Sequence, residues 1–194
     1  MNPIRSILLL FISLGTVQLQ SQTFEFSPAL DEVIDEYHLE ASTPTENRFK
    51  SIRQLPTAYL PFIYGMHSEK AGLEIYVAFQ PYDSRNPATA KPQIETTRLM
   101  TNAATNREDA VITVLDLSKS YVRKIFGADW GKEIYFQPKA SISGKAHCRM
   151  VSIFKDEVGL LTLFFFFNEK NNSLEDFYSW IRFDSSQLSM PDEK

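Results

Sequence analysis

The chain has 194 residues, with 20 Lys and Arg against 24 Asp and Glu, 43% hydrophobic residues and one cysteine. A formal charge of −4 lacks the basic face that a nucleic-acid partner requires and offers no polybasic surface for a membrane. With Cys148 alone, no disulfide can form within the chain, so its stability must come from packing.

Residues 1–21 run from a basic residue, Arg5, through the apolar stretch Ile7 to Leu14 and into short polar side chains, the pattern of a secretory signal peptide. The stretch is shorter than the ~20 apolar residues of a membrane-spanning helix, so cleavage after Ser21 is expected, with an uncleaved anchor as the alternative. Cleavage removes Arg5 and no acid, leaving 173 residues of net charge −5. That length suits one domain, assigned here to 22–183, followed by a polar tail, 184–194, expected to be disordered. The expected location is outside the cytoplasm, periplasmic or secreted, with no membrane span after cleavage.

Just past the leader, Ser27 can cap a helix that has Pro28 at its first position, and Leu30, Val33, Ile34 and Tyr37 form one apolar stripe along it. Three prolines interrupt 41–64, where a helical turn at 46–52 and an extended segment at 59–64 are expected. Leu73, Ile75, Val77 and Phe79 alternate with Glu74, Tyr76 and Ala78 as a strand does. Residues 80–93, with Pro81, Pro87 and Pro92, read as an exposed and mobile loop. A strand is expected at 94–100, and the β-branched run 110–117 reads as a central strand. Ser118 then caps a helix that Gly127 ends.

Three strands follow, at 133–137, 148–155 and 160–167, the last two joined by a short turn at 156–159 as an antiparallel hairpin. The final strand, Leu160 to Phe167, ends in four phenylalanines and has one polar member, Thr162. Neighbouring side chains on a strand point to opposite faces, so this one needs cover on both. Near the end, Ser173 caps an expected helix through Phe183, with a strand as the alternative for its last five residues. The fold class is therefore α+β: a single domain with a mainly antiparallel sheet of about five or six strands and helices packed on both faces.

Motifs with a defined chemistry are scarce. His147 and Cys148 are the one adjacent pair of base and nucleophile, but on a strand they point apart. No CxxC, no pair of histidines at helical spacing and no EF-hand loop is present, so neither a metal nor a cofactor is implied. Gly127 to Lys132 lacks the glycine spacing of a phosphate loop, and no Gly-x-Ser-x-Gly elbow occurs. Asp129 with Trp130 offers a platform for a sugar ring, against the plainer reading that Trp130 closes the core. Asp116, between apolar neighbours, is either a carboxylate in an unusual setting or a helper of the Ser118 cap.

These readings point to a non-catalytic binding or accessory module of the cell envelope or exterior, with an envelope protein as its candidate partner. One alternative is a pocket for an apolar small molecule or lipid, lined by Trp130, Tyr135, Phe154, Phe165 and Phe166. Another is a hydrolase-like enzyme that uses Cys148. Against the pocket stands the usual fate of phenylalanine, which is burial in ordinary core.

Overall fold

The computed structural model describes residues 26–42, 49–56, 59–86, 89–169, 174 and 177–184. The leader, the polar tail beyond Asp184 and part of the expected 46–52 turn therefore lie outside the described residues.

The chain is α+β. Helix α1 (Pro28–Glu36) leads into short strands β1 (Leu39–Ala41) and β2 (Lys50–Ser51), then β3 (Phe62–Ser68) and β4 (Leu73–Pro81). Helix α2 (Pro92–Ala103), β5 (Thr113–Asp116) and α3 (Lys119–Phe126) come next, and β6 (Trp130–Phe136), β7 (His147–Lys155), β8 (Gly159–Phe167) and β9 (Ile181–Phe183) complete the order. Seven strands form one sheet in the order β2-β3-β4-β8-β7-β6-β5, and β1 pairs with β9 separately. Every pairing is antiparallel.

The run Leu160 to Phe167 lies in β8, the middle strand of the seven. Alternation splits its phenylalanines between the faces. Phe165 joins Leu30 of α1, Val122 and Phe126 of α3, and Ile181 and Phe183 of β9 in one core; Phe164 and Phe166 join Leu99 and Ala103 of α2 in the other. Phe164, Phe165 and Phe166 are wholly inaccessible to solvent, and Phe167 nearly so. Thr162, the polar member, shares a hydrogen bond of 3.1 Å with Ser152 on β7, so each buried hydroxyl meets the other.

The helix ends follow local chemistry. The Ser27 side chain accepts from Leu30 N and Ser118 from Tyr121 N, while Gly127 closes α3 in the left-handed region at φ 62°. A Cβ at Gly127 would meet the Phe183 carbonyl, so this turn also needs glycine for room.

Several expectations are corrected. Among the described residues the strands number seven in one sheet and two in another, rather than five or six. Residues 94–100 belong to α2: Pro92 takes its first turn, and Glu95, Thr96, Leu99 and Ala103 are buried at helical spacing, which outweighs the β-branched Ile94, Thr96 and Thr97. Lys50 and Ser51 are a strand, held by pairing with His67 and Met66, where a helical turn was expected. Of the last five residues of the C-terminal segment, Ile181–Phe183 follow the strand alternative by pairing with Leu39–Ala41, whereas Ser179 and Trp180 do not; the expected cap Ser173 lies outside the described residues.

The 80–93 loop is shorter than its prolines suggest, because Gln80 and Pro81 end β4 and Pro92 and Gln93 open α2. Thr89 ties what remains together: its hydroxyl accepts from Asp83 N at 3.0 Å and lies 2.9 Å from Asp83 O and 2.8 Å from Asn86 O. Finally, the 110–117 run is not central. β5 is the outermost strand beside β6, and all four of its residues are exposed.

Candidate functional site

Beyond Phe136 the outer edge of β6 is bordered twice. Thr105 N donates to Gln137 O at 2.8 Å and Ala104 bridges Pro138, while Thr113 pairs with Tyr135 at the start of β5. Residues 106–112 bulge outward between these attachments. A turn closes the bulge, with Ala110 N donating to Arg107 O at 3.1 Å, and Arg107 grips Asp109 through Nε at 3.0 Å and Nη2 at 2.6 Å. That guanidinium holds the Asp109 carboxyl below the usual carboxylate range.

Between the bulge and the sheet end lies a cleft of about 480 Å³. Asp109, Ala110, Val111 and Thr113 form its outer wall. Tyr135 to Gln137 lie along its floor, and His147, Cys148 and Phe167 close the inner side. By register Thr113, Tyr135, His147 and Phe167 share the face covered by α1 and α3. The volume falls within the few hundred cubic ångströms of small-molecule sites, and the mixture suits one too: ring and methyl surface with a few polar groups at the margin.

Beneath Tyr135 sits a buried ion pair. Arg149 Nε lies 2.6 Å from Glu133 Oε1, and Nη2 donates to Glu133 Oε2 at 2.8 Å. The guanidinium carbon is 5.1 Å from the Tyr135 ring centre and 3.9 Å from that of Tyr178, so two aromatic faces hold the cation. The pair neutralises itself. Its contribution at the cleft is to fix the Tyr135 ring that forms the floor.

Sequence reading missed this pair. Its signal was present: Glu133 and Arg149 are charged residues on strands rich in apolar side chains, at positions that face a covered side. A charge there needs an opposite partner.

Of the residues singled out as a pocket, Tyr135 alone borders the cleft. Trp130 and Phe154 oppose one another at the other end of β6 and β7, on the face of α2, with Lys132 Nζ 5.9 Å from the indole centre. Phe166 shares that face and meets Tyr76 edge-on at 5.4 Å. Phe165 lies on the opposite face, 5.4 Å from the Tyr178 ring. The structure thus divides the five between two faces and both ends of the sheet.

The other candidates are placed as follows. Cys148 is buried, and burial pushes its thiol well above the ordinary range, partly offset by a hydrogen bond from the Phe165 backbone. His147 lies on the opposite face against the Phe167 ring at 5.6 Å, so the imidazole is not set to take the thiol proton. Asp116 is exposed, 3.1 Å from Lys132 Nζ. Asp129 accepts from Asp156 N at 3.1 Å, while half-buried Trp130 packs on the core.

Among the described residues, no three of His, Cys, Asp or Glu gather in a way that could hold a metal ion, and no helix is long and apolar enough to cross a membrane. Compared with protein-family models and with curated proteins, the chain matches none.

Proposed function

We propose that this chain is an exported, non-catalytic binding module of the cell envelope or exterior, and that it takes an apolar small molecule in the cleft between the 106–112 bulge and the sheet end. One observation carries the reading: a volume of about 480 Å³ opens against the Phe167 end of an otherwise close-packed strand. Ala110, Val111 and Phe167 supply the apolar walls, and the Tyr135 face is held in place by Arg149. Thr113, Gln137 and His147 are the polar groups that would orient a guest. The thiol is buried and its neighbour His147 points to the opposite face, which supports binding rather than hydrolysis.

The test uses decanoate and 2-naphthol as aliphatic and aromatic probes, followed by NMR shifts of the Tyr135 and His147 rings. Binding is expected to move both resonances and to disappear in Ala110→Trp, whose indole would fill the space. Probes that leave these rings unmoved, or that bind Ala110→Trp as well as the parent chain, would remove the cleft as the site.

A further inference from the structure

The two edges of the seven-stranded sheet are built differently. β2, at one edge, has two residues, one of them charged, which is how sheets discourage further pairing. β5, at the other, ends in Asp116, but its first three residues belong to a stretch with no charge, no proline and no glycine from Ala110 to Leu115. Its large apolar side chains face water: Val111 is 76% exposed, Ile112 43%, Val114 48% and Leu115 47%. On the side away from β6, alternate residues of an outermost antiparallel strand turn their N–H and C=O groups outward. Apolar surface and outward backbone groups together are what an added strand covers.

We infer that the added strand is β5 of a second copy, paired antiparallel about a two-fold axis to make one continuous sheet across a dimer. The charges at the ends of the stretch favour this occupant. Before it stand exposed Glu108 and Asp109 with Arg107, one negative charge in sum; after it comes exposed Lys119, while Asp116 is matched by Lys132. Antiparallel self-pairing brings the acidic end of each copy to the basic end of the other. An axis at Val114 sets Val114 against its own counterpart and Thr113 against Leu115, and it turns the 107–110 turn of one copy toward the start of α3 in the other. Such an interface is self-complementary, as closed two-fold assembly requires. A foreign strand would have no reason to match this charge order.

Sedimentation velocity on the purified chain, from about 1 to 100 µM, tests the inference. The parent chain is expected to dimerise, and Val114→Lys, which alters an exposed edge residue, is expected to stay monomeric with an unchanged thermal transition. Glu108→Lys and Lys119→Glu should each weaken the dimer by about 2- to 30-fold, because each contact occurs twice and an exposed pair contributes ~0.2–1 kcal/mol. The double charge swap should restore most of the affinity. A chain that is monomeric at about 100 µM, a dimer untouched by Val114→Lys, or single charge changes without effect would each overturn the inference. The substituted positions 108, 114 and 119 lie outside the cleft lining, while Ala110, Val111 and Thr113 border both, so probe binding is measured on the monomeric Val114→Lys chain to keep loss of binding and loss of dimer separate.

Discussion

Arg149→Met removes the cation from the pair beneath the cleft and leaves Glu133 buried without it. The side chains of Arg149 and Glu133 are only 13% and 6% exposed, so water cannot replace the missing partner. Breaking a buried pair from one side costs about 3–5 kcal/mol, and the two tyrosine faces around the guanidinium add to the loss. Methionine recovers part of the packing, so a net loss of about 3–4 kcal/mol is expected. With a urea dependence of about 2 kcal/mol per molar, the unfolding midpoint should fall by about 1.5–2 M.

Glu133→Leu alone should cost a similar amount by stranding the guanidinium. The double variant Glu133→Leu with Arg149→Met leaves no buried charge, and its midpoint should return to within about 1 kcal/mol of the parent. The four proteins form a cycle whose coupling term is expected at several kcal/mol. If the two single losses simply add in the double variant, the pair does not act as a unit, and the account of what fixes Tyr135 fails.

Phe165→Ala should cost about 3–5 kcal/mol in the same urea titration, since the ring is fully buried and packed against Tyr178; a loss under about 1 kcal/mol would contradict its place in the core. Gly127→Ala should cost about 2–3 kcal/mol, from the left-handed backbone and the contact with the Phe183 carbonyl, and a neutral result would show that β9 does not press on this turn. Cys148 should react slowly with iodoacetamide at neutral pH until the chain is unfolded; rapid labelling of the folded chain would contradict its burial. Burial, reinforced by the Glu74 charge, pushes the Tyr76 hydroxyl from 10.0 up to about 12. The unfolded chain therefore releases this proton first, and stability should fall as the pH rises from about 10 to 12. In Tyr76→Phe that fall should be shallower by unfolding midpoints measured across the range; an identical slope would assign it to other groups.

Local signals in the sequence were strong where a few adjacent residues decide the outcome. Ser27 with Pro28, and Ser118 with Gly127, mark α1 and α3 because caps and left-handed turns depend on a handful of backbone groups. The β7–β8 hairpin was legible for the same reason, and the two-sided apolar character of β8 implied layers on both faces. α2 was harder: Ile94, Thr96 and Thr97 carry strand propensity, and only burial of Glu95, Leu99 and Ala103 against the sheet resolves it in favour of a helix. β1 and β9 are three residues each and exist through pairing across most of the chain, which no local pattern encodes. The cleft was out of reach for a related reason, because it depends on where the 106–112 bulge leaves β6.

The misplacement of β5 is of another kind. A run such as AVITVL reads as central because uncharged, β-branched residues usually sit between two strands. The fold gives it one neighbour. Propensity and position agree elsewhere in this sheet, where β4, β7 and β8 are apolar and enclosed, and β2 is short and polar at its edge. When local preference and tertiary placement conflict at a single strand, a missing partner reconciles them without assigning the sequence an error. A second copy on the open side would make β5 an inner strand of the assembled sheet, which is the position its composition describes.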